Sequence, residues 1–240
     1  MPAVTIFHTN DFHNKLTSEK AQKLKELKQS TSNSLLLDCG DAIWAGNIYF
    51  RPDGEPILKL MNDAGYDAMA MGNREFHFLA TGLRKKIGWA EFPVLCANIR
   101  PTNHADLPVA SDVTFNIAGL KVVVFGLTVP MITERMLSRK VSSYVFDDSI
   151  ETAARIVPEL RKRADILVAL THIGLKADRE LAESVPGIDM IIGGHTHAVL
   201  ESPEMVGQTA IVQAGWFARY VGKVEITPGS PVHAELISLQ

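Results

Sequence analysis

The stretch Val4-Thr5-Ile6-Phe7-His8-Thr9-Asn10-Asp11-Phe12-His13 decides how the chain is read, because a run of strand character passes directly into an amide, a carboxylate and an imidazole. The same figure returns four times. Leu35-Leu36-Leu37 leads into Asp38-Cys39-Gly40-Asp41, and Met69-Ala70-Met71 into Gly72-Asn73-Arg74-Glu75. Val168-Ala169-Leu170 leads into Thr171-His172, and Ile191-Ile192 into Gly193-Gly194-His195-Thr196-His197. Parallel strands share one carboxyl edge, and ligands of open α/β sheets bind in the crevice beyond it. Five distant segments are therefore expected to converge on one spot.

Between these runs the apolar periodicity turns helical. Helices are expected over residues 19–29, 56–64, 81–89, 149–163 and 177–184, alternating with strands over 4–7, 35–37, 68–71, 94–97, 122–127, 166–170 and 190–192. Repeated β-α-β order implies a largely parallel sheet covered by helices, an α/β fold. Pro158 should kink the fourth helix or divide it near Val157. A hairpin is expected over residues 113–127 with Ala118-Gly119 at its turn. After residue 198 the helical pattern stops. Runs over 210–213, 220–226 and 232–237 read as antiparallel strands, separated by Gly215, Gly222 and the turn-like Pro228-Gly229-Ser230-Pro231.

Composition narrows the function classes. With 240 residues and 46% apolar content the chain can bury a full core, and one domain over residues 1–240 is expected. The net charge of -3 and the lack of a basic run argue against nucleic acid; the lysines from Lys20 to Lys28 alternate with Leu24 and Leu27 as the wet face of a helix. No apolar run approaches the roughly 18 residues of a membrane span, and Met1-Pro2 leads into a strand without a charged leader. A soluble, cytoplasmic protein is expected. Cys39 and Cys96 lie in or beside strand-like runs and read as reduced core residues. Oligomeric state is not written in the sequence.

Asp11 and His13 stand two apart, as do His195 and His197, so a chain leaving a strand could aim each pair at one point. Carboxylate, amide and imidazole donors without thiolates suit Mn, Zn, Fe or Co rather than an all-oxygen Mg or Ca site. Each residue alone has a plainer explanation: a strand-end His as a hydrogen-bonded residue, an Asp beside Gly as a turn or helix cap. Five clusters at five strand ends would require that explanation to hold independently at each.

The set T-N-D-F-H, D-C-G-D, G-N-R-E-F, T-H-I-G-L and G-G-H-T-H resembles the calcineurin-like metallophosphoesterases, and within them the catalytic domain of the 5'-nucleotidase and nucleotide-sugar hydrolase group; the resemblance runs from about residue 3 to 220. It implies a four-layer α-β-β-α sandwich, two mixed sheets flanked by helices. It implies metal one on Asp11, His13, Asp41 and His197, and metal two on Asp41, Asn73, His172 and His195, with Asp41 bridging. Two divalent cations about 3.5–4 Å apart, Mn first among them, neutralise phosphate oxygens and activate a shared water for in-line attack on a small phosphate ester. Asp38 and Glu75 could orient the imidazoles or cap helices.

The pattern departs from the family at the residue after the metal-binding Asn, usually His and paired with an Asp three positions on; here these are Arg74 and His77. Arginine keeps its proton, so Arg74 cannot be a general acid but can stabilise phosphoryl charge. His77 titrates in the right range, and a spacing of three in a helical first turn would put it on the face of Arg74. The pair would then have exchanged duties, unless His77 simply packs beside Phe76 and Phe78. With the sequence running to Gln240, the C-terminal domain by which full-size 5'-nucleotidases grip the nucleoside is not expected. Substrate contacts are expected from the chain's own loops, with Asn47, Tyr49 and Arg51 on one pocket wall, or from another subunit. Trp216 and Phe217 read as core. Phosphomonoester hydrolysis, of nucleotides among other esters, leads; a phosphodiesterase with the same metals and a non-catalytic metal-binding scaffold are the rivals. Neither a dinucleotide fingerprint nor a P-loop is present.

Overall fold

The structure, a computed structural model, describes residues 3–102, 105–230 and 232–240. Met1, Pro2 and Pro231, which enter the leader and turn expectations, lie outside the described residues. In chain order the elements are β1 (Val4–Thr9), α1 (Ser18–Ser30), β2 (Ser34–Asp38), α2 (Pro56–Ala64), β3 (Ala68–Ala70), α3 (Ala80–Ile87), β4 (Val94–Leu95), β5 (Ile99–Pro101), β6 (Asp112–Ile117) and β7 (Leu120–Thr128). There follow β8 (Tyr144–Phe146), α4 (Ser149–Arg161), β9 (Ile166–His172), α5 (Leu175–Ser184), β10 (Met190–Ile192), β11 (Glu204–Val206), β12 (Thr209–Val212), β13 (Tyr220–Ile226) and β14 (His233–Ser238).

Two six-stranded sheets carry the fold, ordered β14-β13-β1-β2-β3-β4 and β11-β12-β10-β9-β7-β6, with β5 and β8 paired apart. Strand alternation explains the layering, since successive side chains point to opposite faces. In β1 and β2, Val4, Ile6, Leu35 and Leu37 face inward and meet Val122, Val124, Val168, Leu170 and Ile192 of the other sheet. Phe7, Leu36 and Met69 point the opposite way, onto Leu24 of α1, Leu58 and Met61 of α2 and Leu83 of α3. Val123, Phe125, Leu167 and Ile191 likewise pack on Ala153 and Val157 of α4 and Leu181 of α5. The result is the α-β-β-α sandwich that the resemblance implies, in place of the single covered sheet that β-α-β order alone suggests.

Each sheet has a parallel centre: β1 to β4 in one, and β7, β9, β10 and β12 in the other. The carboxyl ends of β1, β2, β3, β9 and β10 thus all carry expected ligands, but from two sheets. The 113–127 hairpin forms as expected, with Ala118 and Gly119 at positive φ (53° and 81°) in its two-residue turn. Two expectations fail. The run at 210–213 becomes β12, parallel to β10, and its antiparallel partner is the unforeseen β11. The runs after it are antiparallel as expected, β13 on β1 of the first sheet and β14 on β13. Of the two outcomes expected at Pro158, division does not occur, and α4 continues to Arg161. Both Pro158 and Ala154, whose carbonyl loses its helical donor, lie on the solvent face, where water replaces the bond. Both cysteines are buried and free. No described helix is long and apolar enough to cross a membrane.

Candidate metal centre

Ten described non-glycine residues have positive φ, and five of them are expected ligands: Asp11 (54°), His13 (46°), Asp41 (56°), His195 (74°) and His197 (57°). Such backbone is uncommon for residues with a Cβ and stores strain that surrounding structure must hold. Here the loops after β1 and β2 brace each other. Asp11 N donates to Gly40 O at 3.0 Å, His13 N to Asp41 O at 3.0 Å, and Asn14 N to Ala42 O at 2.8 Å. Gly40, at φ 88°, lies so close to Gly72 that a Cβ on either would strike the other loop. Glu75, fully buried, adds acceptors: its Oε2 takes the N–H of Asp41 (2.9 Å) and Gly72 (2.8 Å), and its Oε1 that of Ile43 (3.2 Å).

These constraints bring all seven expected ligands together. Asp11, His13 and His197 form one triad of facing donor atoms, and Asp11, Asp41 and His172 a second. Asp11 Oδ1 lies 3.4 Å from His197 Nε2, 3.8 Å from His13 Nε2 and 4.0 Å from His172 Nε2, while His172 Nε2 lies 3.4 Å from Asp41 Oδ1. His13 Nε2 and His197 Nε2 face each other at 3.1 Å. Asn73 and His195 adjoin this group, with Asn73 Oδ1 3.0 Å from His195 Nδ1 and the His195 N–H donating to Asp11 Oδ2 at 2.9 Å. The carboxylate common to both triads is Asp11, where the resemblance makes Asp41 the shared one.

The donor set fits cations. Asp11 Oδ1 and His172 Nε2, which face each other in the cluster, are buried without a hydrogen-bond partner, which is costly unless something else satisfies them. Burial lowers His13 and His195 below the usual histidine range, keeping their rings as neutral donors. Burial acts the same way on His172, but the Asp41 and Asp11 carboxylates outweigh it and raise His172 to about 9. Burial raises Asp41, and its contact with His172 more than reverses that. The Asp41 and Asp11 carboxylates thus favour positive charge at this point of the cluster. His172 Nδ1 donates to Cys39 O at 2.7 Å, which leaves Nε2 to face the carboxylates.

Neither Asp38 nor Glu75 meets an imidazole or caps a helix. Asp38 accepts from Thr9 Oγ1 (2.7 Å) and Gly40 N (2.8 Å), so both acids shape backbone instead. Arg74 belongs to the site: its N–H donates to Asp41 Oδ1 at 2.7 Å, its Nε is 3.7 Å from Asp41 Oδ2, and its Nη1 donates to Trp44 O at 2.8 Å. The structure does not bring His77 to the cluster. Residues 73–75 form a turn, 76–79 are not helical and α3 starts only at Ala80, so the shared helical face does not exist. His77 stacks on Phe78 (centroids 5.0 Å apart), meets the edge of Phe50 (5.3 Å), and accepts from Leu79 N at Nδ1 (3.0 Å).

Asn47, Tyr49 and Arg51 stand away from the cluster. Asn47 lines a separate apolar pocket, Tyr49 is exposed, and Arg51 faces Glu55 at 3.5 Å. Trp44 is the member of that loop that reaches the site, edge-on to His13 at 5.7 Å with the Arg74 guanidinium 5.1 Å over its ring. Trp216 and Phe217 are not core. Both are partly exposed; Trp216 stacks on His197 (5.7 Å, 16°) and Phe217 meets His13 (5.7 Å). An aromatic beside Gly215 reads as core in sequence, and only its proximity to the final ligand loop could have signalled otherwise.

The sequence model of the calcineurin-like phosphoesterases matches residues 4–199. The chain is 34% identical over 93% of its length to the trifunctional nucleotide phosphoesterase protein YfkN of Bacillus subtilis, of which it covers 18%. It is 32% identical to the snake venom 5'-nucleotidase of Gloydius brevicauda, over 93% of this chain and 45% of that one. The 5'-nucleotidase precursor from Thermus thermophilus superposes with a TM-score of 0.84 at 26% identity, over 99% of this chain and 54% of that one. The chain therefore spans about half or less of the length of these relatives. With the family match running through all five strand-end clusters, the chain belongs to the calcineurin-like phosphoesterases.

Proposed function

We propose that the chain hydrolyses phosphate monoesters, nucleotides among them, with two divalent cations, manganese first. The observation that carries this reading is the pair of triads meeting at Asp11, in which Asp11 Oδ1 and His172 Nε2 are buried without a hydrogen-bond partner. Asp11, His13, Asp41 and His197 would hold one cation and Asp41, Asn73, His172 and His195 the other. When bound, two cations neutralise phosphate oxygens and acidify a water. The chain's own part is placement. The braced loops hold the donors in register, and Arg74, fixed by Asp41 and by Trp44 O, presents a permanent positive charge to phosphoryl oxygens as charge develops on them. His77, packed among Phe50 and Phe78, takes no part in proton transfer in this reading. The relatives named as nucleotide phosphoesterase and 5'-nucleotidase support the nucleotide class.

The test is metal analysis followed by turnover of p-nitrophenyl phosphate and of its bis-ester with Mn added. Two cations per chain and preferred monoester cleavage are expected; no metal-stimulated turnover across a broad ester panel overturns the proposal, and bis-ester preference makes the enzyme a diesterase. Asp41→Asn should lose both cations and His13→Ala chiefly one. Stoichiometry near two in Asp41→Asn, with both lost in Asp11→Asn, would move the bridge to Asp11.

A further inference from the structure

The loop that joins β12 to β13 is held to two ligand loops at once. Phe217 N donates to Asp11 O at 3.0 Å and Gly215 N to Ala198 O at 2.8 Å. The Asn10 side chain spans the same loop, donating to Gly215 O (2.5 Å) and accepting from Ala214 N (3.0 Å). Within it Gly215, Phe217 and Ala218 all have positive φ (82°, 60° and 51°). Such backbone is an outlier for a bulky residue and persists only where neighbours over-determine it. The turn thereby sets two half-buried rings, Trp216 and Phe217, against expected ligands.

The four histidines of the cluster are oriented in two ways. His172 is aimed by a hydrogen bond, Nδ1 to Cys39 O at 2.7 Å, and His195 Nδ1 lies 3.0 Å from Asn73 Oδ1. His13 and His197 face each other through Nε2, and neither Nδ1 has a hydrogen-bond partner among the described residues. Aromatic rings hold this pair instead. Trp216 stacks on His197 (centroids 5.7 Å apart, planes at 16°), while Trp44 and Phe217 each meet His13 edge-on at 5.7 Å. These separations lie in the range of attractive aromatic pairs. Each indole is in turn covered by an arginine, Arg219 lying 4.4 Å over Trp216 and Arg74 5.1 Å over Trp44. Among the described residues no indole or phenyl ring meets His172 or His195, which pack on each other. We propose that Trp216, locked by Arg219, is a positioning residue for His197: stacking fixes the ring orientation that a hydrogen bond from the second ring nitrogen ordinarily fixes in a metal-binding histidine. It serves the cation position of Asp11, His13 and His197, and not that of His172 and His195. This inference rests on the two-cation reading above.

The experiment titrates the metal-stripped full chain with Mn²⁺ by calorimetry. Trp216→Leu keeps apolar volume without a stacking face, and Trp216→Phe restores one. Trp89→Leu makes the same exchange at a half-buried indole that packs on Gly54 beneath the Lys59 ammonium (4.0 Å). Two binding events are expected in the wild type, one of them lost in His13→Ala. Trp216→Leu should weaken that event about tenfold, a usual cost of removing a group that orients a ligating imidazole, and leave the other unchanged. Trp216→Phe should recover most of the loss, and Trp89→Leu should keep both events at wild-type affinity. Unchanged Mn²⁺ affinity in Trp216→Leu, an equal loss at both positions, or an equal loss in Trp216→Phe overturns the positioning role. Where Trp216→Leu does not fold, as judged by circular dichroism, Arg219→Gln decides. Releasing the indole from this exposed side chain should weaken the same event about twofold, and unchanged affinity overturns the proposal. No Mn²⁺ binding by the wild type overturns the two-cation reading and with it the role given to Trp216, whereas two intact events in every Trp216 variant overturn that role alone.

Discussion

Lys86→Met should uncouple the two loops beside the metal centre while leaving the ligands in place. Lys86 is fully buried in α3, and its ammonium donates to Gly46 O (2.7 Å), Arg74 O (2.6 Å) and Phe76 O (2.8 Å). Hydrogen bonds from a charged donor contribute about 1.5–3 kcal/mol each, so three give roughly 4–9 kcal/mol. Against this stands desolvation: burial lowers Lys86 from 10.5 to about 8, which costs about 3 kcal/mol while the amine is charged at pH 7. The net loss in the methionine variant is on the order of 3 kcal/mol, read from urea unfolding. Between pH 8 and 10.5 the unfolded chain binds more protons at this site than the folded one, so wild-type stability rises with pH and the deficit of the variant widens. Activity should fall as well. Release of the Arg74 carbonyl loosens the residue whose N–H grips Asp41, and a displacement of about 1 Å can lower turnover by up to about a hundredfold. Metal stoichiometry should stay at its wild-type value. A deficit that is flat or shrinking from pH 8 to 10, or unchanged kcat, would refute the reasoning.

Asp178→Asn should stabilise the metal-stripped protein at pH 8 but not at pH 4. Burial raises Asp178 from 3.8 to about 7, so the folded state retains a proton that the unfolded state has released in that window, and wild-type stability falls as pH rises through it. A gain of about 1–3 kcal/mol at pH 8 is expected from denaturant midpoints, and an equal gain at pH 4 would count against this account. His77→Ala should cost about 2–3 kcal/mol through lost packing on Phe50 and Phe78, yet leave the acid and base limbs of the kcat profile where they are. A displaced limb, with slower release of a poor leaving group, would return His77 to the role of proton donor.

The inward and outward alternation of Val4, Phe7, Leu35 and Leu36 carries the layering, and it is legible because a strand's period fixes the face of every side chain. Direction is not legible in the same way. The apolar run of β12 reads identically whether it pairs parallel or antiparallel, and its place beside β10 is set by the 193–208 excursion and by β11. The misplacement of His77 has a local cause. Gly72-Asn73-Arg74-Glu75 has the composition of a helix start, but the Glu75 carboxylate is engaged by the N–H groups of Asp41, Ile43 and Gly72, which folds the segment back onto the β2 loop. The helix begins only beyond it, at Ala80. Long-range partners of this kind leave no trace in periodicity, and neither does the exposure of Trp44, Trp216 or Phe217, since an aromatic suits a core and a pocket wall equally.

The seven expected ligands are legible in the sequence, but the backbone that aims them is not. Two residues spaced by one share a face if the strand simply continues, whereas Asp11 and His13 both leave the strand in left-handed backbone, as do His195 and His197. Each such residue costs about 1–3 kcal/mol, and the cost persists only because neighbours over-determine the conformation. The loop of Asp11 is held by Gly40, Asp41 and Ala42, and the Asp11 carbonyl in turn receives Phe217 N at 3.0 Å. The Asp41 loop is held by Glu75, and the His195 N–H by Asp11 itself. The loops that carry the expected ligands are therefore fixed by one another, and hydrogen bonds within the protein balance the strain of their left-handed backbone. Four glycines and one buried glutamate make this packing possible: Gly40 and Gly72 through their close approach, Gly193 and Gly194 against Asp178 and His172, and Glu75 through its three backbone donors. The same positions that look like turn punctuation in the sequence are the ones that let five strand ends from two sheets close on a single point.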